Sequence, residues 1–140
     1  MIITGYVEEE VANRFYAATD ICLAPYSRKT NLSASGAITW ALSSGKPTIA
    51  SKIDAFQAIA RDGDCMMMVT PEQPQELAWA CECLDADEAM RKRLVANAGD
   101  YCRKYSWSDT AEQTIELYQR LLSRGAGQKN RISIPLRKVA

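Results

Sequence analysis

The 140-residue sequence contains no histidine. That absence removes the usual general base at neutral pH, and with it the Ser–His and Cys–His pairs of nucleophilic catalysis. It also removes the commonest ligand of transition metals. Net charge is missing too, since 17 Lys and Arg balance 17 Asp and Glu. A balanced chain carries no whole-molecule electrostatic footprint for nucleic acid, so no nucleic-acid partner is expected. Long apolar runs are lacking, and no segment reads as a membrane span. The N-terminus lacks the charged-then-apolar layout of a secretory leader. The cytoplasm is the expected compartment, with a peripheral place at the inner membrane surface as the alternative.

Five cysteines are an odd number, and without a leader they argue against a disulfide framework. Cys81-Glu82-Cys83 has the wrong spacing for a zinc knuckle, and no second pair completes it. Buried reduced thiols are the reading that remains. No metal and no cofactor are expected. What is present is ordinary for a globular protein: 47% hydrophobic and 24% charged residues, enough for one domain with a real core.

Strand-like and helix-like segments alternate along the chain. Ile2-Ile3-Thr4 is a short β-like run. Glu8-Glu9-Glu10 opens a helix to about Thr19, its acidic first turn suiting the macrodipole. Ile21–Pro25 is a continuous apolar run, the mark of a strand buried on both faces. A polar loop from Tyr26 to Asn31 precedes a helix at about Ala34–Ser44 and a strand at Thr48–Ser51. A helix at Ile53–Ala60, stopped by Asp62-Gly63, leads to a strand at Cys65–Thr70. Its Met66, Met67 and Met68 read as core filler. Helices follow at Gln75–Leu84 behind Pro74, from Asp87 or Glu88 to about Tyr105, and from Asp109 to about Leu122. Residues 125–140 read as a flexible basic tail after a domain of residues 1–124. The alternation predicts a Rossmann-like α/β fold, a parallel sheet with helices on both faces.

The informative stretch is Leu32–Ser51. Small residues, Ser33-Ala34-Ser35-Gly36-Ala37, open a short helix that Gly45 closes, and Pro47 leads into a β-branched strand. Such a loop can present bare backbone N–H groups at a helix N-terminus, where an anion sits well. Ser33 or Ser35 could equally be a plain N-cap.

Several segments in order resemble the C-terminal, nucleotide-sugar-binding domain of retaining GT-B glycosyltransferases of the group 1 family. They are Thr4-Gly5-Tyr6-Val7 with its acidic triplet, Ala18–Tyr26, Ala41–Ser51, Arg61-Asp62-Gly63 with Met66–Val69, Pro74–Ala78, and Tyr105-Ser106-Trp107. The resemblance implies a nucleotide-sugar donor and a glycan, lipid or protein acceptor. It implies that Ser33, Ala34, Ser35 and Gly36 face the donor diphosphate, with Tyr26 and Arg28 as neighbours. The paired glutamates that are the family's signature would fall on Leu32 and Trp40. Neither residue can accept a hydroxyl hydrogen bond through a carboxylate. Trp40 then reads as core packing or as a stacking surface for the donor base.

The resemblance also implies that an acceptor domain, and strands carrying an Arg and a Lys, precede the matched region. The missing N-terminal domain or another chain would have to supply them, and the isolated chain is expected to be inactive. A non-catalytic remnant or interaction module with the same fold is the alternative. A flavodoxin- or receiver-like domain is disfavoured because no acidic cluster follows the first strand. In the family's strand order, absent strands would separate Ile2–Thr4 from Ile21–Pro25. The expectation is that Ile2–Thr4 moves in to pair beside Ile21–Pro25 and closes that edge.

Overall fold

Three short strands, each followed by a helix, organise the computed structural model, which describes residues 2–125. The elements are α1 (Glu9–Ala18), β1 (Cys22–Ala24), α2 (Gly36–Ser43), β2 (Thr48–Ser51), α3 (Asp54–Gly63), β3 (Met67–Val69), α4 (Pro74–Ala86), α5 (Glu88–Lys104) and α6 (Trp107–Gly125). The chain divides into two compact units after Lys104, with α6 in the second. The tail expected at residues 125–140 lies, apart from Gly125, outside the described residues.

The sheet of the first unit runs β1-β2-β3 and is parallel throughout. Cys22 pairs with Thr48 in one ladder, and Ile49 with Met67 in the other. β2 is central and buried along its whole length. Its apolar Ile49 and Ala50 point to opposite faces, as successive strand residues must. On one face Ala50 joins Ala24, Ile38 and Leu42 of α2, and Phe56 of α3. On the other, Ile49 joins Val69, Ala80 and Leu84 of α4, and Leu94 of α5. Ala98 extends α5 into the first cluster, so α5 spans both. The α/β fold with helices on both faces is the one expected from the alternation. The methionines are core filler: Met67 packs into the second cluster, while Met66 and Met68 serve the first.

Helix ends follow local chemistry. Gly45 takes φ +70° just after α2, the left-handed position that glycine fills without strain. At the end of α3 that position belongs to Asp64, φ 42°, and the helix runs on past the Asp62-Gly63 stop read from the sequence. Gly63 is still helical, and its role is space. A Cβ there would stand 2.9 Å from Tyr101 Cδ2 and 3.0 Å from Cys65 Sγ. Asp64 is held by Arg93, whose Nη1 lies 3.2 Å from Oδ2, and by Asn97, whose Nδ2 donates to its carbonyl at 3.0 Å. In the second unit Ser106 Oγ accepts from the Asp109 N–H at 3.1 Å. The cap therefore starts α6 at Trp107, ahead of the Asp109 start read from the sequence.

Two expectations at the start of the sheet do not hold. Ile2–Thr4 forms no strand, and Ile2 and Ile3 are 90% and 82% exposed. A strand needs a partner ladder, and this short run has none. Ile21–Pro25 shrinks to Cys22–Ala24, with Leu23 48% exposed. β1 pairs with β2 on one side only, so it is an edge strand and not a strand buried on both faces.

All five cysteines are free thiols, with Cys22 and Cys65 buried. Burial, first of all, and then Cys102, Asp64 and Asp62 push the Cys65 thiol from 9.0 to about 11, against a lowering backbone hydrogen bond. Above pH 9 the unfolded chain therefore loses this proton before the folded one does. Stability is full below that pH and falls as pH rises through 11, with a slope approaching about 1.4 kcal/mol per pH unit. Urea unfolding at about pH 8 and about pH 10 measures that loss, and Cys65→Ala makes it shallower.

Candidate functional site

The parallel strands all deliver their following loops to one edge of the sheet, the carboxyl edge where ligands bind in open α/β folds. Three loops meet there: residues 25–35 after β1, Lys52-Ile53 after β2, and residues 70–73 after β3. The loop after β1 turns back on itself through a Thr30 N–H bond to the Ser27 carbonyl at 3.1 Å. It then enters α2 through Ser35.

Ser35 has an extended backbone, and its Oγ accepts from the Ile38 N–H at 3.4 Å. Its carbonyl takes the Thr39 N–H at 3.2 Å. The plain N-cap reading of Ser35 is therefore correct. The N–H groups of Gly36 and Ala37, the first residues of α2, have no acceptor inside the helix. The first turn of α2 contains no acidic side chain, so the positive end of its dipole is uncompensated there. A Cβ on Gly36 would meet nothing within 4 Å; the approach to these N–H groups is open.

Tyr26 reaches this turn. Its hydroxyl lies 3.1 Å from Ser35 Oγ, and its ring stands edge-on to Phe56 at 5.1 Å between centroids. Phe56 is fully buried, so the core itself fixes the tyrosine. Ser33 and Ala34 precede the cap and are exposed. The structure thus brings Tyr26, Ser35 and Gly36 together at the start of α2, with Ser33 and Ala34 on the approach.

Arg28 stands apart from this group. Its Nε is 4.0 Å from Glu72 Oε2, and it lines a separate cavity of about 200 Å³ with Asn31, Leu32, Lys52 and Asp54. A neighbouring cavity of about 250 Å³ is lined by Ser27, Ser51, Thr70 and Glu72. Lys52 Nζ pairs with Glu76 Oε1 at 3.2 Å. Hydrogen bonds from Thr70, side chain first and then backbone, hold the Glu76 carboxyl below its ordinary value, with Lys52 assisting. Glu72 adopts φ 64°, a left-handed backbone unusual for a residue with a side chain. Sequence reasoning missed Lys52 and Glu72. Lys52 had a signal, since it directly follows a strand; Glu72 had none, because its backbone is set by the tertiary turn. Trp40 is half-buried and lies against Tyr16 of α1, ring centroids 6.0 Å apart. It belongs to neither core cluster, so its packing is against α1 at the surface and not in the core.

The architecture is an open parallel α/β sheet with a bare helix N-terminus at its carboxyl edge, the edge where ligands bind in folds of this class. A family model described as Glycosyl transferases group 1 matches residues 1–87, and the chain belongs to that family. D-inositol 3-phosphate glycosyltransferase of Nocardioides sp. is 31% identical over 113 residues, which cover 81% of this chain and 24% of that protein. The chain spans about a quarter of that relative's length. Two GT-B structures share the fold. The C-terminal domain of a glycosyl transferase group 1 family protein from Francisella tularensis has TM-score 0.62 and 23% identity, over 74% of this chain and 51% of that one. The Anabaena protein HepE, solved in complex with UDP, has TM-score 0.66 and 20% identity, over 76% of this chain and 29% of its own.

Tyr26→Phe removes the hydroxyl from Ser35 and is expected to lower stability by about 0.5–1.5 kcal/mol. Amide exchange at Ile38, whose N–H bonds to Ser35 Oγ, should quicken in the same variant, as hydrogen-exchange NMR would report.

Proposed function

We propose that this chain is the donor-side part of a retaining GT-B glycosyltransferase that takes its sugar from a nucleotide-sugar. Ser33, Ala34, Ser35 and Gly36 receive the donor diphosphate on the N-terminus of α2, and Tyr26 holds that turn in place. The observation that carries this reading is the bare first turn of α2, free of acidic residues and open at Gly36. Family membership and the UDP complex of the HepE neighbour support it. Chemically, oriented N–H groups stabilise the negative charge that gathers on a departing diphosphate. Arg28 faces Glu72 and the neighbouring cavity, which suits a contact further along the donor.

The acceptor, whether glycan, lipid or protein, would approach from a domain or chain other than this one. A nucleotide-sugar donor goes with a cytoplasmic place or one at the inner membrane surface. With Leu32 and Trp40 standing where the resemblance puts paired glutamates, the donor hydroxyls have no carboxylate partner at those positions. A non-catalytic interaction module is not favoured, since the matched relative and family are transferases.

Calorimetric titration with UDP and with UDP- or GDP-sugars tests the site. Gly36→Val should abolish binding, because bulk there blocks the close backbone approach. The fold should survive, since the added side chain meets open space; circular dichroism checks it. Unchanged binding in a folded Gly36→Val protein would overturn the assignment.

The purified chain is expected to transfer no sugar in a radiolabelled-donor assay, and Trp40→Glu alone should not restore transfer. Turnover by the unmodified chain would refute the inactivity.

A further inference from the structure

Two cations of the carboxyl edge share a cavity that a diphosphate on α2 leaves unused. Arg28 comes from the loop after β1 and Lys52 from the loop after β2, and both line the cavity of about 200 Å³. Whole small-molecule sites run to about 300–1,000 Å³, so this one has room for part of a ligand. Thr30, Asn31 and Asp54 add polar groups to its wall, and Leu32 brings no charge.

Neither cation is fully engaged by the fold. Arg28 Nε stands 4.0 Å from Glu72 Oε2, too far for a hydrogen bond. Among the described residues the guanidinium donates to no protein acceptor, so its five N–H groups are available. Lys52 Nζ donates to Glu76 Oε1 at 3.2 Å, and an ammonium has three donors to give. The Glu76 carboxylate is shared in turn, since it is also hydrogen-bonded by Thr70.

The acidic groups nearby do not cancel this charge inside the cavity. Asp54 lies in the first turn of α3, where the helix dipole offsets a carboxylate. Glu72 lines the neighbouring cavity and meets Arg28 only at the outer reach of an ion pair. The cavity therefore faces its occupant with two cations and one dipole-compensated acid.

We propose that this cavity is a sugar subsite selective for a carboxylate-bearing sugar, whose carboxylate is bound by Arg28 and Lys52 together. It rests on the transferase reading, which puts the donor diphosphate at the N-terminus of α2, and it adds the class of sugar. The planar fork of Arg28 matches a carboxylate through two parallel hydrogen bonds, and Lys52 adds a point charge. Thr30 and Asn31 offer a hydroxyl and an amide to ring hydroxyls. On binding, Arg28 exchanges the distant Glu72 for the ligand, so Glu72 is a competitor.

The test is calorimetric titration with UDP, UDP-glucose and UDP-glucuronate, UDP being the nucleotide of the HepE neighbour. UDP-glucuronate should bind about tenfold more tightly than UDP-glucose, as two solvent-exposed ion pairs allow. Arg28→Gln and Lys52→Gln should each cut that preference to about threefold, and the double variant should abolish it. Glu72→Gln removes the competitor and should raise the preference. Equal affinity for the two sugars, in protein that binds UDP, overturns the proposal and leaves the donor reading standing. So does a preference that survives the double substitution. If UDP itself does not bind, the donor reading falls, and the cavity is tested without a nucleotide. Methyl glucuronide should then shift the Arg28 Nε–H resonance in an NMR titration where methyl glucoside does not; the absence of that difference overturns the carboxylate assignment.

Discussion

Everything in the first unit hangs on β2. It is the one strand with ladders on both sides and cores on both faces, and Ile49 and Ala50 are fully inaccessible. Parallel strands demand this double burial, since crossover helices cover both faces. Polar β2 residues are accommodated locally: the Thr48 hydroxyl donates to the Lys46 carbonyl at 3.2 Å. β2 also registers its neighbours. Its pairing with Cys22–Ala24 sets where the loop after β1 begins, and its pairing with Met67–Val69 sets the loop before α4. The carboxyl edge, and hence the candidate site, is a consequence of that register.

The ion pairs of that edge do something other than hold the fold. Arg28 with Glu72 is an exposed pair and Lys52 with Glu76 a partly exposed one, and pairs in contact with solvent contribute only about 0–1 kcal/mol. Their effect is on local potential. Arg28 and Lys52 line one cavity of the carboxyl edge and Glu72 the next, while Glu76 reaches Lys52 from the first turn of α4. The N-terminus of α2 works by a different means, through fixed backbone dipoles and no side-chain charge. The two arrangements are separate in space: Tyr26 and Ser35 belong to one, Arg28 and Leu32 to the other.

Much of the fold was legible because period and punctuation agreed. Thr48–Ser51 is the same strand in sequence and structure, and Pro74 stands at the start of α4 where a first-turn proline belongs. The cap of α2 was legible as Ser33 or Ser35, and the structure chooses Ser35, starting the helix at Gly36, two residues after the Ala34 start read from the sequence. Failures came where the answer depended on a neighbour. Ile2–Thr4 has strand-like residues, and strand propensity without a ladder produces no strand. Leu23 sits in an apolar run that says buried, while its side chain lies on an edge strand and stays 48% exposed. α3 runs on through Gly63, against which Tyr101 of α5 stands, a contact that no local pattern encodes. Glu72 lies in a turn whose left-handed φ is imposed by the chain's path into α4.

The site and the open edge share β1, and that has a mechanical consequence. A strand of three residues with a ladder on one side is a weak platform, yet the residue two places beyond it, Tyr26, must position the α2 N-terminus. The ladder does not supply that rigidity; the tyrosine does, through Phe56 below and Ser35 above. Phe56 belongs to α3, which begins beyond β2, so the start of α2 is referenced to the buried centre of the sheet and not to its exposed edge. The arrangement explains how a well-formed, capped α2 coexists with an edge that lacks half its hydrogen bonds.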